Sequence, residues 1–130
     1  MEIKNKNLKL DKIFPDHVKN FWLEIGFGSG ENIKWQLDNN KEIGFIACEP
    51  YLNGIADLLI LLDKEHLSRI KIYNGDVREL FNVFKPNTFA KVFILFPDPW
   101  PKKKHYKRRI IQKSTLNIIN SIMTLGGELR

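Results

Sequence analysis

The chain of 130 residues is one domain, long enough for a core between two layers and too short for a second domain. Hydrophobic residues make up 43% and charged residues 28%, which excludes disorder; uncharged stretches such as Val92 to Pro97 stop far below the roughly 18 residues of a membrane span, and the start is no signal peptide, so a cytoplasmic protein with no membrane partner is expected. The net charge of +6 sits in one place: Lys102, Lys103, Lys104, Lys107, Arg108 and Arg109 form the excess, and the other 15 lysines and arginines match the 15 acids.

Residues 1–20 read as an N-terminal extension and 21–130 as the core of a single domain. In chain order the predicted elements are a strand over Phe21 to Ile25, a helix over Gly30 to Asn39, a strand over Gly44 to Cys48 and a helix over Tyr51 to Lys64. A strand over Ile70 to Tyr73, a helix over Val77 to Phe84, a strand over Ala90 to Phe96 and a helix over Tyr106 to Met123 follow. A fifth strand starts near Glu128 after a turn at Gly126-Gly127. The strands are short and mostly apolar, and the helices carry apolar residues at three- and four-residue spacing, as crossovers should. The expected fold is α/β with a doubly wound, mostly parallel sheet, in which ligands bind at the carboxyl ends of the strands.

The first strand runs into Glu24-Ile25-Gly26-Phe27-Gly28-Ser29-Gly30-Glu31, a glycine turn that lets a ligand approach backbone amides as a helix opens. Glu49 ends the second strand 23 residues after Gly26, where a carboxylate can accept both hydroxyls of an adenosine ribose. The alternative for the pair is a plain helix start beside an unrelated acid. Glu24 separates two cofactor classes, since an acid two residues before the first glycine suits the ammonium of S-adenosylmethionine (SAM) better than a pyrophosphate. Asn74 and Asp76 end the third strand, where they can face an adenine edge; a helix cap explains Asp76 equally well.

After the fourth strand, three prolines in Pro97-Asp98-Pro99-Trp100-Pro101 stiffen a loop that presents Asp98 and Trp100. Trp100 can stack on a base or cover the sheet edge. The basic run behind it is either a solvated face or a footprint for a phosphate backbone. Cys48 has no partner for a disulfide and none at metal-ligand spacing, so it reads as an inert buried thiol and no metal site is expected.

With these motifs the chain resembles the bacterial tRNA (guanine-N7-)-methyltransferases, class I SAM-dependent enzymes with a Rossmann-like fold. The resemblance rests on Leu23 to Glu31, Glu49-Pro50, Asn74-Gly75-Asp76 and above all Phe96 to His105 followed by Lys107-Arg108-Arg109. It implies that Glu24, Gly26, Gly28, Gly30, Glu49, Asn74, Asp76 and Asp98 form the cofactor site. It also implies that Asp98 faces the guanine as the catalytic residue, and that Trp100, Lys102, Lys103, Lys104, His105, Lys107, Arg108 and Arg109 meet tRNA. The family's strand order would be 3-2-1-4-5-7-6, and this chain supplies at most five strands, which suggests C-terminal truncation. The expected function is transfer of a methyl group from SAM to N7 of a variable-loop guanosine in tRNA, by a monomer or homodimer. The alternatives are a noncatalytic SAM- and RNA-binding module of the same fold, a SAM enzyme for a small substrate, and a nucleotide-dependent dehydrogenase.

Overall fold

The apolar segments become strands because residues branched at Cβ and aromatic residues alternate between two buried faces of one sheet. A computed structural model describes residues 9–95 and 108–130. It contains β1 (Asn20–Ile25), α1 (Glu31–Asn39), β2 (Ile43–Cys48), α2 (Leu52–Leu61), α3 (Lys64–Ser68), β3 (Ile70–Tyr73), β4 (Phe89–Phe93), α4 (Lys113–Ile122) and β5 (Met123–Leu129). The five strands are hydrogen-bonded in the order β3-β2-β1-β4-β5, every pair parallel. This is the expected doubly wound arrangement. All six residues of β2 are buried, as a strand covered on both faces requires.

On one face Leu23, Ile46 and Val92 pack with Ile119 and Ile122 of α4. On the other, Phe45 and Phe93 pack with Ile33 and Leu37 of α1 and Leu58 of α2. Trp22, Phe45 and Phe93, from three adjacent strands, have ring centroids 5.9 to 6.0 Å apart, and Trp22 meets Phe45 edge-on. This aromatic cluster supports β1 beneath the glycine turn. Leu10, Phe14 and Val18 are buried in the first cluster, so the segment before β1 packs on the domain.

Several boundaries differ from expectation. The apolar run 51–64 is two helices, because Leu62 leaves helical geometry and Asp63 caps α3 reciprocally, its carboxylate accepting from His66 N and its amide donating to His66 Nδ1. The segment 77–84 forms a 3₁₀ turn over Val77–Glu79 and further turns instead of a helix; Val77, Leu80, Val83 and Phe84 are nonetheless buried, which accounts for the helical spacing of the sequence. Helix α4 starts only at Lys113, after an extended Gln112. Strand β4 ends at Phe93, before the predicted limit. Strand β5 begins at Met123 and runs through Gly126-Gly127, which form no turn before it. Gly126 takes φ 78°, and the pairing passes from Phe89↔Met123 to Lys91↔Glu128, so the glycines sit in a bulge on an edge strand.

Candidate functional site

The turn after β1 is built on three left-handed glycines, Gly26, Gly28 and Gly30, at φ 67°, 63° and 88°. A side chain at Gly26 or Gly28 would meet no atom, so their conformation and not crowding calls for glycine. At Gly30 space is also lacking: an added Cβ would lie 2.4 Å from Leu58 Cδ1. Gly54 of α2 is equally constrained, since its Cβ would sit 2.4 Å from the Gly28 carbonyl oxygen. Helix α2 thus approaches the turn closely enough to hold it in place.

Two bonds tie the turn to the end of β2. Gly26 N donates to the Cys48 carbonyl at 2.8 Å, and Gly28 N donates to Glu49 Oε1 at 2.9 Å. Glu49 Oε2 accepts from Tyr51 N at 3.1 Å. A carboxylate has about four lone-pair positions, so Glu49 can accept further hydrogen bonds while held in this orientation. Asn74 stands behind it, donating from Nδ2 to the carbonyls of Glu49 and Pro50, both at 3.1 Å.

A cleft of about 510 Å³ opens where β1, β2 and β3 end. Gly26, Gly28, Glu49, Asp76, Arg78 and Arg108 are among the residues that line it. Asp76 does act as a cap, accepting from Arg78 N at 2.8 Å, and it is also paired with Arg78 Nη1 at 3.1 Å. Arg78 reaches on to the carbonyls of Arg108 and Arg109, at 2.9 and 2.8 Å, and so fastens the end of the basic run to the cleft wall. Cys48 lines the cleft too, and burial pushes its thiol up, as suits an inert side chain.

Glu24 lies apart from the cleft lining and is fully buried on the α1 side of β1. Its Oε1 accepts from Asn32 Nδ2 at 2.7 Å; its Oε2 is buried with no hydrogen-bond partner among the described residues. Burial raises its pKa from the ordinary 4.5 to about 7, the Asn32 bond opposing the shift and Glu49 adding to it. A buried carboxylate with an unpartnered oxygen is an unstable arrangement unless a donor, best a cation, completes it.

Of the predicted site residues, Glu49, Gly26, Gly28, Asp76 and Arg108 come together around one cleft. Gly30 and Asn74 shape it from behind, and Glu24 lies beneath the turn. Asp98, Trp100, Lys102, Lys103, Lys104, His105 and Lys107 lie outside the described residues. Asn32, Gly54 and Arg78 were missed by sequence reasoning. Asn32 falls eight residues after Glu24, in the first turn of α1, but nothing in that spacing alone marks it as a partner.

An all-parallel sheet in this order, with a glycine turn after β1 and a cleft where β1, β2 and β3 end, defines a Rossmann-like domain of the methyltransferase class. A family model described as "putative methyltransferase" matches residues 19–130, and the chain belongs to that family. It is 41% identical over 127 residues to the tRNA (guanine-N(7)-)-methyltransferase of Wolbachia pipientis wMel, covering 98% of this chain and 57% of that protein. It is 41% identical over 112 residues to the enzyme of the same name from Jannaschia sp. (strain CCS1), covering 86% and 47%. The chain therefore spans about half the length of these curated relatives. Among solved structures it is similar in fold to human methyltransferase-like protein 13 in complex with SAH, with a TM-score of 0.64, 16% identity, and 85% and 52% of the two chains covered. An antibiotic-related methyltransferase matches at a TM-score of 0.61 and 20% identity, covering 93% and 62%.

Proposed function

We propose that this chain forms the cofactor-binding part of a SAM-dependent tRNA (guanine-N7-)-methyltransferase. The observation that carries the reading is the pairing of a buried carboxylate oxygen on Glu24, unpartnered among the described residues, with a second carboxylate, Glu49, held at the cleft by the glycine turn. The residues fit a ligand with a cation at one end and vicinal hydroxyls at the other. Glu24 would take the ammonium, Glu49 the ribose hydroxyls, and the cleft around Gly75, Asp76 and Val77 the base. The substrate class is supported by similarity to the two relatives named above, and tRNA in the cytoplasm is the corresponding partner and place.

SAM, when bound, supplies a methyl group on a sulfonium, which passes to guanine N7 as the carbon–sulfur bond breaks and sulfur keeps the electron pair. N7 carries a free lone pair at neutral pH, so no side chain has to remove a proton before transfer. The protein's task is alignment. As the purine becomes cationic, a carboxylate beside it stabilises the charge, and Asp98 is proposed for that role. The basic run from Lys102 to Arg109 would hold the RNA backbone, its last two residues fastened by Arg78.

The test is transfer of tritiated methyl from SAM to an unmodified tRNA transcript, beside a transcript whose variable-loop guanosine is replaced by adenosine. Labelling of the first alone is expected. A folded sample that labels neither transcript would refute activity of this chain by itself and favour a noncatalytic SAM- and RNA-binding module, and equal labelling of both would refute the target.

A further inference from the structure

Glu24 is held by a run of amides along one side of α1. Asn32 Nδ2 donates to Glu24 Oε1 at 2.7 Å, Gln36 Nε2 donates to Asn32 Oδ1 at 3.2 Å, and Asn40 Nδ2 donates to Gln36 Oε1 at 3.2 Å. The spacing is 32, 36, 40, one helical turn per step. The direction of the run is set by its end: a carboxylate only accepts, so Asn32 must offer its nitrogen and turn its oxygen to Gln36, and so on down the helix. The far end is anchored, since the Asn40 carbonyl accepts from Nη1 of the fully buried Arg69 at 2.9 Å. Gln36 is itself buried. Every amide dipole in the run therefore presents its positive end toward Glu24.

The other neighbours of Glu24 give it no donor. β4 places Phe93 opposite it in register. Lys91 of the same strand is engaged elsewhere, over the Trp22 ring at 4.6 Å and 3.8 Å from Glu128. Glu49, from the end of β2, acts on Glu24 as a like charge. Asn32 is the one group among the described residues that bonds its carboxylate.

We propose that Asn32 is a positioning residue for the cofactor site: by holding Oε1 of Glu24, and being held in turn by Gln36, it leaves Oε2 as the acceptor for the cofactor's ammonium. The proposal rests on the cofactor reading above. Asn32 touches neither substrate nor cofactor and acts only through Glu24. It favours the ionised carboxylate that an ammonium requires, opposing a burial that favours the neutral acid. Removing the amide makes the acid harder to ionise, so cofactor binding turns on at higher pH.

Two measurements on the full chain separate this from a merely structural role. The first is a ¹³C NMR titration of the Glu24 side-chain carboxyl without ligand, its resonance assigned by Glu24→Gln. The second is calorimetric binding of S-adenosylhomocysteine, which carries the same ammonium, at pH 7 and 8.5. In Asn32→Ala the Glu24 midpoint should rise by about one pH unit, the worth of one hydrogen bond to a charged group. Affinity should then fall about fivefold at pH 7 and nearly recover at pH 8.5. The near-isosteric Asn32→Leu, which keeps the shape and removes the donor without adding a charge, should shift the midpoint in the same direction and serves if the alanine variant fails to fold. An unchanged midpoint, or an affinity loss equal at both pH values, would overturn the proposal while leaving the cofactor reading intact. A wild-type chain that binds no S-adenosylhomocysteine would overturn the cofactor reading, and the role given to Oε2 with it.

Discussion

Burial of Glu24 costs the folded chain stability once the carboxyl ionises. Its pKa is raised from 4.5 to about 7, so between those values the folded chain retains a proton that the unfolded chain has released. Its contribution is therefore fully present below pH 4.5 and is lost as pH rises through 7, a total on the order of 3 kcal/mol. Glu24→Gln, which cannot ionise, should be more stable than wild type at pH 8 by about 2–3 kcal/mol and about equal to it at pH 4.5. Thermal melts across that range decide the point, and parallel profiles for the two proteins would sink it. The same variant should bind S-adenosylhomocysteine at least tenfold more weakly at pH 8, because a neutral amide replaces the partner of the ammonium. Asp98 is proposed as the residue that stabilises the methylated base. Asp98→Ala should lower single-turnover methyl transfer tenfold or more with much less effect on SAM affinity, and an unchanged rate would remove it from the chemistry.

Among the elements, α3 and β3 are held to α1 by polar groups where apolar ones would be usual. Arg69, fully buried, donates from Nε to Glu65 at 2.5 Å, from Nη2 to Glu65 at 2.7 Å and to the Leu37 carbonyl at 2.8 Å, and from Nη1 to the carbonyls of Asn40 and Ile43. It thereby satisfies the end of α1 and the entry to β2 with one side chain. His66, also buried, contacts Asp38 of α1 through Nε2 at 2.6 Å. Hydrogen bonds from Lys34 and then His66 hold the Asp38 carboxyl below its usual range, and Arg69 does the same for Glu65. Both acids have lowered values, so what they contribute is present above their unfolded pKa and lost as pH falls through the folded one. Arg69→Met keeps most of the volume but strands three carbonyls, and should cost about 3–5 kcal/mol. Urea denaturation measures this directly; a loss below about 1 kcal/mol would mean that water replaces the guanidinium.

Along the chain, charge is sorted by position. The site acids Glu24, Glu49 and Asp76 cluster at the ends of the strands, while the surplus of positive charge is gathered in the run ending at Arg109. Arg78 joins the two by its bonds to Asp76 and to the carbonyls of Arg108 and Arg109. If the basic run neutralises about five phosphates, log affinity for tRNA should fall against log salt with a slope near −4 to −5. A filter-binding series from low to moderate salt checks it, and a flat dependence would make the run a solvated face.

The amino-acid sequence by itself determined the α/β class, the parallel sheet and the residues at the strand ends, because apolar periodicity and glycine turns are local properties of the chain, while the order of the strands was implied only by the family resemblance. The helix breaks were less legible: Leu80, Val83 and Phe84 keep helical spacing to reach the core through turns, and Asp63 interrupts an apolar run with a cap that only its bond to His66 reveals. Gly126-Gly127 has the composition of a turn, yet its place on an edge strand makes it a bulge. Only the tertiary structure decided that Glu24 is buried beneath the turn with one oxygen unpartnered among the described residues, that Gly54 lies too close to Gly28 for a side chain, and that Arg69 and Arg78 each join segments about 30 residues apart. The physical reason is that burial and hydrogen-bond partnership depend on which elements become neighbours, and residue spacing along the chain carries that information only within a helix or a strand.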